Sequence, residues 1–195
     1  MMTSSETSHE TLRILGICGS LRAQSVNRGL LRAAIELKPD GMIINPFDDL
    51  ALIPPYNADD DGEHPPESVL ALKAAIGDAD GILFVSPEYN YSVPGQLKNA
   101  IDWASRGGLQ SPLRGKPCAI MGTGPGISGT MRMQHHLRQI LVFTDSPVLA
   151  QPEVILPKSG DRFDANQNLT DASTRELVAK QLVAFSSWIR ALKLR

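Results

Sequence analysis

Gly19-Ser-Leu-Arg-Ala-Gln-Ser-Val-Asn27 follows the apolar run Leu12–Cys18 and precedes the segment Arg28–Leu37. The run holds Ile14, Leu15 and Ile17 and reads as a buried strand. In the segment after the loop, Leu30, Leu31, Ala34 and Ile35 recur at helical spacing. A strand, a small-residue loop and a helix start form a cup for an anion. The first helical N–H groups have no partner within the helix, and the macrodipole is positive there. Ser20 and Ser25 add hydroxyls, Asn27 an amide and Arg22 a permanent charge, so the group that fits is a phosphate. The loop lacks the Gly-Lys-Ser/Thr ending of the nucleotide P-loop and any glycine pair for a pyrophosphate, which favours a single phosphate monoester. An ordinary capped turn, with Ser25 as cap and Arg22 in solvent, explains the same residues and stays open on this stretch alone.

Outward from this stretch, strand and helix alternate five times. Strands are predicted at Gly41–Asn45, Asp80–Ser86, Lys116–Met121 and within Pro147–Leu156, where Pro152 interrupts. Helices are predicted at Glu67–Ala79, Pro94–Ser105, about Thr130–Phe143 and Thr170–Leu194. Val69, Leu70, Leu72, Ala75 and Ile76 are the expected inner face of the second helix. Ile82, Leu83, Phe84 and Val85 form an unbroken apolar run, as a central parallel strand requires. The pattern predicts an α/β flavodoxin-like three-layer sandwich around a five-stranded parallel sheet of order 2-1-3-4-5. Residues 12–195 read as one domain behind a polar, disordered tail, Met1–Thr11. Pro46–Pro66 carries five prolines and Asp59-Asp60-Asp61; it reads as a long functional or mobile loop, and its aspartates as a solvated run.

Composition bounds the partners. The chain has 195 residues and a net charge of -2, which argues for no nucleic acid and no anionic membrane surface. No apolar run approaches the roughly 18 residues of a membrane span, and no signal core precedes the first strand, so a cytoplasmic location follows by default. Cys18 and Cys118 fall in or at the ends of two predicted buried strands, too far apart for a disulfide if another strand lies between. His135 and His136 are adjacent and point about 100° apart on a helix, so they do not chelate together and read as exposed helix residues.

In this fold, ligands bind at the carboxyl ends of the strands, at the switch point between strands one and three. Gly19–Asn27, Pro87–Ser92 and Gly122–Gly129 meet there. The second loop offers proline-stiffened backbone and two tyrosine rings to a heterocycle; the third is glycine-rich, so its backbone can approach a flat ring. A phosphate, a chain and a flat polar ring describe flavin mononucleotide (FMN). Gly124-Pro-Gly126-Ile-Ser-Gly129 formally matches the dinucleotide pattern G-x-G-x-x-G, but it stands after the fourth strand, and the nearest acid, Asp145, falls at the wrong end. No G-x-S-x-G elbow marks a hydrolase, and Gly19-Ser20 stands where a response-regulator receiver needs acids.

The motifs Gly19–Asn27, Pro87-Glu-Tyr-Asn-Tyr-Ser-Val-Pro-Gly95 with Leu97-Lys-Asn-Ala-Ile-Asp-Trp103, and Met133-Gln-His-His-Leu-Arg-Gln-Ile-Leu141 resemble the NADPH-dependent FMN reductase family. The branch they resemble is that of the bacterial chromate and quinone reductases. The resemblance implies bound FMN, NADPH or NADH as donor, and two-electron reduction of a small-molecule electron acceptor: a quinone, free flavin, azo compound or chromate. It implies that Ser20, Arg22, Ser25 and Asn27 hold the phosphate, that Glu88, Tyr89, Asn90 and Tyr91 border the ribityl chain and ring, and that Thr123 and Gly124 lie near the ring. Leu21 and Pro87 complete the cofactor-binding set. No catalytic side chain and no metal ligand is expected, because flavin carries the hydride chemistry. Arg106 could attract an anionic substrate, although a surface arginine explains it as well. The chain departs from the family at Gly129-Thr130, where two glycines are common. The family also implies a homodimer or homotetramer. Leu97, Ile101 and Trp103 in one helix and Met131, Met133, Leu137 and Ile140 in another are the expected contact residues, unless they face the sheet. A non-enzymatic FMN-binding electron carrier and a flavin-free binding domain are the other two classes.

Overall fold

The computed structural model describes residues 10–194. The reading of a disordered tail therefore falls, except for Glu10 and Thr11, outside the described residues. Five parallel strands are ordered β2-β1-β3-β4-β5: β1 (Leu12–Cys18), β2 (Met42–Phe47), β3 (Gly81–Val85), β4 (Cys118–Thr123) and β5 (Val154–Leu156). Helices α1 (Val26–Leu37), α2 (Glu67–Asp78), α3 (Gly95–Ala104), α4 (Met131–Phe143) and α5 (Ala172–Lys193) cover both faces. This is the flavodoxin-like order expected from the alternation.

The side-chain period of two divides each strand between two cores. Leu15, Ile17, Ile82, Phe84 and Ile120 face α2, α3 and α4. Ile14, Cys18, Leu83, Val85, Met121 and Val154 face α1 and α5. Gly16 lets α1 sit directly on β1: a Cβ there would lie 2.7 Å from Leu31 Cδ1. The two cysteines are buried, free and in opposite cores, with β3 between their strands, so no disulfide joins them.

Several boundaries moved for local reasons. β2 runs through Pro46, which is tolerated because β2 is an edge strand paired only with β1. β4 starts after Pro117, because Lys116 N is taken by a turn to Leu113 O (3.0 Å) and proline has no N–H to give. Pro147–Leu149 pairs with the start of β4 through Cys118 N to Pro147 O and Leu149 N to Cys118 O (2.8 Å each). The chain then leaves the ladder and returns as β5, so strand five comes in two pieces. Leu70, expected inside, is half exposed; Val69, Leu72 and Ile76 alone form the buried stripe of α2.

The proline-rich segment after β2 is tied down. It contains two short 3-10 turns, Asp49–Leu52 and Ala58–Asp60, and buries Leu50 and Ile53. Gln96 Nε2 donates to Leu50 O (2.8 Å) and Ile53 O (2.7 Å), while Asn99 Nδ2 and Trp103 Nε1 both donate to Pro54 O (2.7 and 2.8 Å). Tyr56 meets the Trp103 ring edge-on at 4.9 Å. Asp61 pairs with Lys73 at 3.5 Å, and no cluster of three or more metal-ligating side chains exists among the described residues.

Candidate FMN site

A cavity of about 550 Å3 opens at the carboxyl ends of β1, β3 and β4, within the size range of small-molecule sites. Of the twelve sequence candidates, Ser20, Arg22, Ser25, Asn27, Pro87, Glu88, Tyr89, Asn90, Tyr91, Thr123 and Gly124 line it. Leu21 lies between two lining residues with its side chain exposed. Val26, Pro125, Gly126, Gly129 and Arg132 also line it, and the sequence reading named none of them as site residues.

At one end stands the N-terminus of α1. Ser25 is its cap, accepting from Asn27 N at 3.2 Å. The other N–H groups of that first turn have no partner inside the helix. Arg22 is exposed, reaches only Gln24 O at 3.5 Å, and has no carboxylate partner among the described residues. The two readings of this loop therefore coexist: Ser25 caps the helix, and the cup remains open. Ser20 and Ser25 hydroxyls, the Arg22 guanidinium and a neutrally capped helix end are donors suited to a phosphate dianion.

Asn27 has different work. Its Nδ2 donates to Thr123 O (2.9 Å) and its Oδ1 accepts from Thr123 N (3.0 Å). Both arms of a nearly fully buried amide are used on one residue of β4, so Asn27 ties the start of α1 to the end of β4. Thr123 Oγ1 continues the line to Leu156 O (3.1 Å).

Glu88 also differs from expectation. Its side chain is only 7 % exposed and forms an ion pair with Arg132 Nη2 at 2.5 Å. Oε2 accepts from Arg132 N (2.9 Å) and Met133 N (3.1 Å), and Oε1 accepts from Arg132 Nε (2.6 Å). Thr130 at the N-cap makes no side-chain cap bond, so Glu88 caps α4 from another loop. The G-x-G-x-x-G stretch leads into this helix end, where a dinucleotide's pyrophosphate would sit; a carboxylate already holds it. The two adjacent histidines do not act together: His136 Nδ1 meets Ser92 Oγ at 3.0 Å, and His135 is exposed.

The second loop is a tight hairpin turn. Tyr89 N donates to Ser92 O (3.1 Å) and Ser92 N to Tyr89 O (2.9 Å). Asn90 and Tyr91 both have positive φ, 49° and 66°, as a type I′ turn requires. The turn throws Tyr91 outward, 66 % exposed, with the Arg132 guanidinium carbon 3.8 Å from its ring centroid. In the third loop Gly129 adopts φ +55°, and a Cβ there would sit 3.0 Å from the Leu156 carbonyl. The following Thr130, where the family often has glycine, has φ −122° and a fully buried side chain, so it leaves the loop's open side unchanged.

Three residues weighed from sequence lie outside this chemistry. Arg106 packs over the Tyr56 ring (5.1 Å) and donates to Asp102 O (3.0 Å), away from the cavity lining. Cys18 sits beneath the loop with Sγ 3.7 Å from Ser20 O; burial pushes its thiol up, away from the reactive thiolate. Cys118 is wholly buried and pushed up further by the same desolvation. The expected contact residues Leu97, Ile101, Trp103, Met133 and Leu137 are buried in the core instead, while Met131 is exposed and Ile140 partly buried.

Comparison with known proteins agrees with the geometry. The family model described as NADPH-dependent FMN reductase matches residues 12–161. The chain is 47 % identical over 184 residues to an NAD(P)H-dependent FMN reductase of Pseudomonas aeruginosa, covering 94 % of this chain and 98 % of that one. It is 42 % identical over 187 residues to a quinone reductase of Escherichia coli K12, covering 95 % and 99 %. Among solved structures it matches FerB, a flavoenzyme NAD(P)H:(acceptor) oxidoreductase of Paracoccus denitrificans, with a TM-score of 0.84 and 33 % identity over 92 % and 98 % of the two chains. The family match over residues 12–161 and these full-length likenesses lead to one conclusion: the chain belongs to the NADPH-dependent FMN reductase family.

Proposed function

We propose that this protein is an FMN-dependent NAD(P)H oxidoreductase that delivers two electrons to quinones, with free flavins, azo compounds and chromate as further acceptors. The observation that carries the reading is the single open anion seat at α1, set across one cavity from the peptide walls of the Pro87–Ser92 and Thr123–Gly129 loops. When bound, FMN would supply the hydride chemistry that links the nicotinamide donor to the acceptor. The chain's own part is to bind and orient. Ser20, Ser25, Arg22 and the α1 N–H groups would hold the phosphate. The backbones of Pro87–Tyr91, Thr123 and Gly124 would border the ring. Arg132 adds no free charge there, because Glu88 neutralises it.

The relatives named above are an NAD(P)H-dependent FMN reductase and a quinone reductase, and their full-length similarity supports the quinone and flavin part of the reading. A homodimer or homotetramer belongs to the proposal. Its support is Val142 and Phe143 at the end of α4, 77 % and 81 % exposed, rather than the core-facing residues of α3 and α4. A cytoplasmic location belongs to it as well, because reduced nicotinamide is a cytoplasmic reagent. Among the described residues, no helix is long and apolar enough to cross a membrane.

The visible spectrum of the purified protein tests the reading. Flavin bands are expected, bleached by NADPH without oxygen and restored by a benzoquinone. Chromatography of heat-released cofactor should give FMN; FAD at full occupancy, or a colourless protein that takes up no FMN, overturns the proposal.

A further inference from the structure

We propose that Arg132 is a positioning residue: anchored by Glu88, its guanidinium holds the Tyr91 ring at the mouth of the cavity, and that ring closes the flavin-ring end of the site. The inference rests on the flavin reading above and adds a residue that the loop motifs do not contain.

Tyr91 occupies a costly conformation. A bulky residue at φ +66° is uncommon and persists where its surroundings over-determine it. Solvent surrounds most of the ring, so core packing does not fix it. What does face it is Arg132, 3.8 Å from ring centroid to guanidinium carbon, well inside the ~6 Å reach of a cation–π contact. Arg132 is itself held. Its Nε and Nη2 lie on Glu88 Oε1 at 2.6 and 2.5 Å, and its own backbone N–H donates to Oε2. The line runs from the start of α4 through a nearly buried carboxylate to a planar cation and then to an exposed ring. Arg132, in the first turn of α4, and Tyr91, in the loop after β3, both line the cavity.

The two arginines of the cavity thus have separate tasks. Arg22 has no carboxylate partner among the described residues and stands by the serines, where a phosphate belongs. Arg132 has its charge taken up by Glu88 and offers a flat face, which a lysine would not. Its effect on ligand binding is therefore exerted through the tyrosine and at the ring end.

The experiment is a double-mutant cycle read by flavin binding. FMN and riboflavin are titrated into flavin-stripped wild type, Arg132→Met, Tyr91→Leu, the Arg132→Met/Tyr91→Leu pair and Tyr91→Phe. Each of the first two substitutions should weaken both flavins by the same factor, about threefold to tenfold. The pair should be no weaker than either alone, and Tyr91→Phe, which keeps the ring face, should stay within about twofold of wild type. Tyr91→Leu leaves the Glu88–Arg132 cap intact, so with Tyr91→Phe it tests the ring even if Arg132→Met does not fold. Additive losses, a loss confined to FMN, or unchanged affinity in Tyr91→Leu overturns the positioning role while leaving the flavin reading standing. Wild type that binds neither flavin overturns both.

Discussion

Helices α1 and α4 start at the same cavity, and the chain treats their two positive ends differently. Ser25 caps α1 with a neutral hydroxyl, which satisfies a donor without cancelling the helix dipole. Glu88 caps α4 with a nearly buried carboxylate, which satisfies two donors and brings a full negative charge. One end is left for a ligand's anion and the other is filled from within. A cavity with two equal seats would suit a pyrophosphate; this one suits a single phosphate. On the proposed reading, selectivity for a mononucleotide would follow from which helix receives the protein's own carboxylate.

Glu88→Ala breaks the comparison most severely. It strands Arg132 and two helix N–H groups, at a cost of about 2–3 kcal/mol, below the range for a fully buried pair because Arg132 is partly exposed. For a chain of this size the melting midpoint should fall by about 5–10 °C, and sulfate should restore the variant more than it stabilises wild type, by entering the vacated seat. A midpoint unchanged by the substitution would remove Glu88 from the cap.

Ser25→Asp makes α1 resemble α4. The apo protein should melt no lower than wild type, since aspartate caps as well as serine. FMN should weaken by about tenfold to a hundredfold through like-charge repulsion, and riboflavin far less. Equal losses for both flavins would place the phosphate elsewhere. Arg22→Ala is milder: its guanidinium is exposed, so FMN should weaken by about tenfold and riboflavin hardly at all. Four dissociation constants, both flavins against wild type and variant, decide it.

The smallest effect is at a third helix end. Asp171 caps α5, and hydrogen bonds from the Thr174 and Ser173 side chains and from Thr174 N pull its carboxyl down to about 2. A folded value below the ordinary aspartate value means the cap's contribution is present above about pH 4 and is lost as pH falls toward 2. The melting midpoint of wild type should drop more steeply across that window than that of Asp171→Asn; parallel curves would remove the linkage.

The sheet was legible because each central strand is apolar on both faces, and β3 most plainly so. The loop that opens the cavity at α1 was legible because strand, small polar loop and helix adjoin in sequence. What escaped was the pairing of particular side chains across the chain. Glu88 sits among tyrosines in the sequence, but its partner is Arg132, 44 residues on, and no spacing rule marks a helix capped from another loop. The surplus apolar character of α3 suggested a subunit contact. In the structure, the Pro46–Pro66 segment folds over that helix and supplies it with Leu50, Ile53 and Tyr56 as neighbours.

The clasp between Asn27 and Thr123 spans 96 residues. A ribosome adding about 5–20 residues per second produces the loop before α1 roughly 5–20 s before it produces the strand that holds it. During that interval the loop has its serines and its arginine but no floor, so the nascent chain should retain no flavin until β4 has emerged and docked. Nascent chains arrested before residue 118 should remain colourless beside free FMN, and those released at full length should acquire it. Cofactor loading would in this sense wait for the fourth strand, although the residues that begin it lie near the start.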